Sequence, residues 1–152
     1  MLNLSFLPGL ADRCLAPGLH WIGIRDFRDT FVLNYHRTWQ FEGFVKACIE
    51  LRQAGCSRVY VGGSYITSKE FPGDYDACWD PAGVSSTGLS ILLYDPLRRD
   101  EQLKVYRGEW FIAKQGNGPE SAMYEFLSKD KDTGIERGMV GIKLKSIELY
   151  NL

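Results

Sequence analysis

The chain has 152 residues, of which 45% are apolar, 13% aromatic and 24% charged. That length suits one domain spanning 1–152, and the composition excludes disordered, collagen-like, coiled-coil and low-complexity classes. Its 18 Lys and Arg against 19 Asp and Glu leave a net charge of −1, so there is no long-range basic field to capture duplex nucleic acid.

No apolar run approaches the ~20 residues of a membrane helix, and the opening MLNLSFLPGLADRC carries no basic leader. The expectation is a soluble, cytoplasmic protein without a membrane partner. Cys14, Cys48, Cys56 and Cys78 form no CxxC pair, and only His20 and His36 could join them around zinc. Reduced, buried thiols are therefore expected.

Along the chain, Phe41, Phe44, Val45, Cys48 and Leu51 recur at helical spacing within a segment from Asn34 to Ala54, and Gly55 follows as a C-terminal cap. Arg58 to Val61 is short, β-branched and aromatic between glycines, which predicts a strand, and Tyr75 to Trp79 predicts a second. Gly83 to Gly88 reads as a loop, and the apolar run Leu89 to Tyr94 is too short to assign by periodicity. Asp95-Pro96 opens a helix with an Asp100–Lys104 pair, ending at Gly108. Trp110 to Ala113, extended to Glu109, predicts the next strand. Gly116 to Gly118 predicts a turn, and Pro119 a short helix with Met123, Phe126 and Leu127 on one side. Lys129 to Arg137 reads as a solvated turn, and Val140, Ile142 and Leu144 alternate as a half-buried strand. Helices and strands in this order predict an α/β or α+β fold, and α+β is the class expected here.

Chemistry concentrates between Val59 and Asp80. A Gly62-Gly63-Ser64 turn ends one strand, and Asp74 and Asp76 enter the next at alternate positions. Strand side chains two apart share a face, so both carboxylates can meet one cation. Magnesium suits an all-oxygen set that leaves room for water and phosphates. The side-chain-free backbone of Gly62 and Gly63 admits a phosphate, to which the Ser64 hydroxyl and Lys69 can add donors.

The spacing of Gly63-Ser64, nine residues, then Asp74-Tyr75-Asp76 resembles the polymerase-beta type of nucleotidyltransferase. The longer run through Gly63, Thr67, Lys69, Pro72, Asp74, Asp76 and Trp79 resembles a small bacterial group of minimal nucleotidyltransferase-like proteins (DUF6932-like). The openings and closings of that group are matched by Leu15 to His20 and in part by Arg137 to Leu144.

The resemblance implies a short mixed β-sheet flanked by helices, with two carboxylates on one strand and a third on its neighbour. It also implies magnesium-dependent transfer of a nucleoside monophosphate from a triphosphate such as ATP to a hydroxyl. Glu109 is the candidate third acid, and Asp80 competes by proximity. The catalytic and metal set is then Asp74, Asp76 and Glu109; the nucleotide set is Gly62, Gly63, Ser64 and Lys69. Because the chain is short, the acceptor is expected to be a partner protein, such as a toxin encoded beside it, as in antitoxin-like relatives of this type.

Each element also has a plainer reading. The glycines make a tight turn, Asp74 caps Pro72-Gly73, and Asp76 is a solvent-facing strand residue. Lys69, Lys104 and Arg107 either reach phosphates or are solvated. Trp39 and Phe41 belong with the helical stripe as core, Tyr65 is the aromatic best placed against a nucleobase, and His20 is a structural histidine. Replacing Gly63 by Val is expected to affect nucleotide binding more than folding. No Gx4GK[ST] element exists, and Gly116-Asn117-Gly118 lacks the third glycine of a dinucleotide fingerprint. A non-catalytic module of the same fold that binds and regulates a partner is the alternative. A small-molecule modifier would normally need a further helical domain.

Overall fold

Strands β1 (Leu19–Ile22), β2 (Arg58–Gly62), β3 (Asp76–Trp79), β4 (Glu109–Ile112) and β5 (Met139–Lys143) pair into one mixed sheet in the order β1-β5-β2-β3-β4. The computed structural model describes residues 2–6, 12–113, 127–130 and 132–152. The expected turn at Gly116 to Gly118 and the helix from Pro119 through Phe126 lie outside them. β5 runs antiparallel to β2, as does β3, whereas β1–β5 and β3–β4 are parallel. An α+β architecture is thus observed.

Alternation along the strands divides the interior in two. Val59, Val61, Ala77, Trp79, Trp110, Val140 and Ile142 point to one face and join the main core. That core is closed by α1 (Ile24–Phe31), α2 (Tyr35–Gln53), α3 (Arg99–Tyr106) and the short α4 (Ser146–Tyr150). Tyr60, Cys78, Ala113, Leu127 and Met139 form a second cluster on the opposite face.

The α2 stripe is buried at Phe41, Phe44, Cys48 and Leu51, and the Asn34 side chain caps the helix by accepting from the Arg37 N–H. Its Gly43 is required by contact: a Cβ would stand 2.0 Å from the Tyr106 carbonyl oxygen. β1 and α1 were not assigned from sequence, although Ile24, Phe27 and Phe31 of α1 are buried at helical spacing. The helix expected from Asp95 begins as a 3-10 turn at Pro96–Arg98 before α3. Its ion pairs are made by Arg98 with Asp95 and Glu101, in place of the expected Asp100–Lys104 pair.

The helix also ends differently. Arg107, not glycine, takes the left-handed conformation at φ 65°. Its guanidinium stacks over Trp39 at 4.5 Å, donates to the Trp39 carbonyl and pairs with Glu42, contacts that offset the backbone strain. Gly108 is glycine for another reason, since a Cβ there would fall 2.3 Å from the Tyr75 ring. In the stretch from Lys129 to Arg137, Lys129, residues 132–134 and Glu136 are exposed, as expected of a solvated turn. Lys129 bridges to Glu136, and the Asp130 carboxylate accepts from the Asp132 and Thr133 N–H groups and pairs with Arg137. All four cysteines are free and buried.

Arg37 ties the connection after β2 to α2. It is only 4% exposed, and its guanidinium donates to the carbonyls of Phe31, Tyr65, Thr67 and Lys69 at 2.5–3.2 Å. The Tyr65 hydroxyl returns a bond to the Arg37 carbonyl at 2.8 Å. Replacing Arg37 by Met leaves these buried carbonyls without donors, and should lower the unfolding free energy by about 3 kcal/mol in urea melts. Arg37→Lys should recover little of the loss, because an ammonium cannot reproduce the planar fork.

Candidate metal centre

Tyr75 sets the orientation of the two acids around it. Its buried ring contacts Phe44, Tyr65 and Trp110, its hydroxyl donates to the Tyr106 carbonyl at 2.7 Å, and the Trp110 indole donates to that hydroxyl at 2.9 Å. With Tyr75 fixed on the helix side, Asp74 and Asp76 are directed to the opposite face. The Glu109 N–H donates to the Tyr75 carbonyl at 2.9 Å, and the parallel ladder sets Glu109 opposite Asp76. Ligand oxygens of Asp74, Asp76 and Glu109 all lie within 4.8 Å of one another. Among the described residues this is the one group of three acidic, histidine or cysteine side chains able to hold a metal ion.

The donor set is oxygen only, which fits a hard divalent cation and gives no soft ligand. Burial first, then the Asp74 charge and a hydrogen bond with Asp74, raise the pKa of Glu109, while Arg99 opposes them. Arg99, at the start of α3, forms an ion pair with Glu109; its side chain is 61% exposed and that of Glu109 12%. Sequence reasoning missed Arg99, because nothing local links it to an acid ten residues away.

Asp80, the competing third acid, lies elsewhere. It is 1% exposed, pairs with Arg58 at 2.5 Å and caps the Ala82 N–H. Gly63 adjoins the cluster directly. It has φ +74°, and a Cβ on it would stand 2.6 Å from Asp76 Oδ2. The space its missing side chain leaves is thus taken by the Asp76 carboxylate, so Gly63→Val would disturb folding and the acid cluster together, contrary to the expectation from sequence. Gly62 is accounted for by packing, since its Cβ would meet Leu127 Cβ at 2.6 Å.

Ser64 lies in the 3-10 turn Gly63–Ile66, and its carbonyl accepts from the Thr67 hydroxyl and N–H. Lys69 is exposed, with its carbonyl held by Arg37. One aromatic expectation, that for Trp39, is reversed. Tyr65 is 1% exposed and stacks with Phe27 in the core, which removes it as a nucleobase platform. Trp39 is 51% exposed beneath Arg107, while Phe41 is core as expected. Arg107 is engaged there and not with the acids. The His20 ring bonds the Ala16 carbonyl at 2.7 Å, as a structural histidine would.

The raised Glu109 pKa has a definite sign. Between the unfolded value of about 4.3 and the raised folded value, the folded chain holds more protons than the unfolded one, so stability falls as pH rises through that window. With chelator present, the stability of Glu109→Gln relative to wild type should increase with pH across the window and then level off. A difference independent of pH in thermal or urea melts would contradict this coupling.

No helix among the described residues is long and apolar enough to cross a membrane. No curated protein and no solved structure matches the chain. A profile described as a family of unknown function, DUF6932, matches residues 9–143, and this includes the glycine turn and all three acids. The chain belongs to the DUF6932 family.

Proposed function

We propose that this protein is a nucleotidyltransferase of the polymerase-beta type. In this reading it transfers a nucleoside monophosphate from ATP to a hydroxyl of an acceptor in the cytoplasm, with magnesium held by Asp74, Asp76 and Glu109. The observation that carries the reading is the meeting of these three carboxylates within 4.8 Å, directly against Gly63. A fold that gathers like charges in this way favours a cation that binds them. Bound there, magnesium would supply charge neutralisation for the phosphates and the reacting oxygens.

The chain's own residues have distinct roles in this reading. Gly63 and Ser64, with Lys69 on the following loop, receive the triphosphate. Asp74 and Asp76 orient it through their shared face. The acceptor oxygen bonds to the α-phosphorus as the bond from that phosphorus to the pyrophosphate oxygen breaks, and the electron pair leaves with pyrophosphate. The hydroxyl proton passes to a Glu109 oxygen. A partner protein, such as a toxin encoded beside this chain, is the first acceptor to test.

A second reading, a non-catalytic module that binds and regulates a partner, is favoured by the Arg99–Glu109 ion pair, which places a side-chain cation on the third acid. Against it, a carboxylate has lone pairs enough for both an arginine and a metal ion. Incubation with each nucleoside triphosphate, magnesium and candidate partners, followed by intact-mass measurement, separates the two. A mass gain of one nucleotide is expected, lost with chelator and reduced at least about a hundredfold in Asp76→Asn and Glu109→Gln. Equal transfer by these folded variants, or binding of a partner with no mass gain under any triphosphate, would overturn the transferase reading.

A further inference from the structure

Beyond Glu109, away from the glycine turn, the sheet of the described residues ends at β4, beside which lies a cleft of about 260 Å³. We propose that this cleft is the acceptor subsite and takes an uncharged alcohol whose body is apolar and about one ring in size; the inference rests on the transferase reading above. Order across the sheet is the first argument. Gly63 follows β2, Asp76 lies on β3 and Glu109 on β4, so in strand order the triphosphate turn and the cleft flank the acids, and Glu109 belongs both to the acid cluster and to the cleft lining. A donor seated at the turn leaves the Glu109 side for the attacking hydroxyl.

The lining defines the chemistry. Leu93, Pro96, Phe111 and Ile112 provide apolar walls, and the polar groups among them are largely engaged. Gln102 accepts from the Trp110 N–H and donates to the Trp110 and Leu92 carbonyls, filling one rung of the β4 edge as a strand would. Asp95 caps the Leu97 N–H and pairs with Arg98, and Arg99 is held by Glu109. Each charged side chain of the lining thus has a partner of opposite charge, which favours an uncharged ligand. In the parallel ladder the amides of Glu109 and Ala113 donate toward β3, to Tyr75 and Trp79. By the same alternation the Ile112 N–H and C=O face away from β3, one donor and one acceptor beside an apolar wall. The volume is below the range for drug-sized ligands and suits a single ring.

The probe is 2-phenylethanol, with glycerol as the hydroxyl-bearing control, titrated into the magnesium-loaded, isotope-labelled protein and followed by backbone amide shifts. Saturable millimolar shifts at Trp110, Phe111 and Ile112 with 2-phenylethanol but not glycerol are expected, and Ile112→Lys should abolish them. Ile112 is 41% exposed and Tyr94, at the mouth, 37% exposed, so Tyr94→Lys is a second tolerable variant. Absent shifts, shifts elsewhere, equal shifts with glycerol, or shifts that persist in both variants would overturn the subsite. Adding ATP separates this from the parent reading. Nucleotidyl ester on both alcohols alike, unchanged by Ile112→Lys, would sink the subsite and leave the transferase. Binding confined to the cleft with no ester under any triphosphate would sink the acceptor role, leaving an alcohol site, whereas the transferase reading falls only if candidate partners also gain no mass.

Discussion

The parallel pairing of β3 with β4 is the constraint from which the site follows. It aligns Asp76 with Glu109, and the bond from the Glu109 N–H to the Tyr75 carbonyl brings Asp74 within the same group. Without that register the third acid would be elsewhere, because a shift of one residue on β4 would exchange Glu109 for Trp110 on the acidic face. The electrostatic consequence is a raised Glu109 pKa, caused first by burial and then by repulsion from the Asp74 charge, with Arg99 opposing both.

Repulsion of this kind has to be held by packing, and several contacts around the cluster do so. Tyr75 is anchored by its hydroxyl and by three aromatic neighbours, and Gly108 gives it room. On the other side, Gly63 lets the turn lie directly against Asp76. Arg37 then holds the chain that follows the turn through the carbonyls of Tyr65, Thr67 and Lys69. Main-chain acceptors of this loop thereby spend their bonding capacity inward, and the acids stay directed outward.

Legibility in the sequence tracked the range of the physics involved. α2 was readable because periodic burial of Phe41, Phe44, Cys48 and Leu51 is a local pattern. The spacing of Asp74 and Asp76 was readable because strand alternation is local too, and Glu109 followed from expecting its strand beside theirs. Trp39 is at the surface and not in the core, since its exposure depends on a distant Arg107. The reason for Gly63 was misjudged likewise: its neighbour in space, Asp76, is thirteen residues away. Arg37 and Arg99 gave no signal at all, because an arginine in a helix usually reads as a solvated charge. β1 and α1 lay beside a motif read only for its resemblance.

The central claim is that Asp74, Asp76 and Glu109 form one divalent-cation site. Titration of the chelator-treated protein with Mn²⁺, following free ion by electron paramagnetic resonance, tests it most directly. Saturable binding competed by Mg²⁺ and lost in Asp76→Asn is the expected result. No saturable binding, or undiminished binding by folded Asp76→Asn, would contradict it.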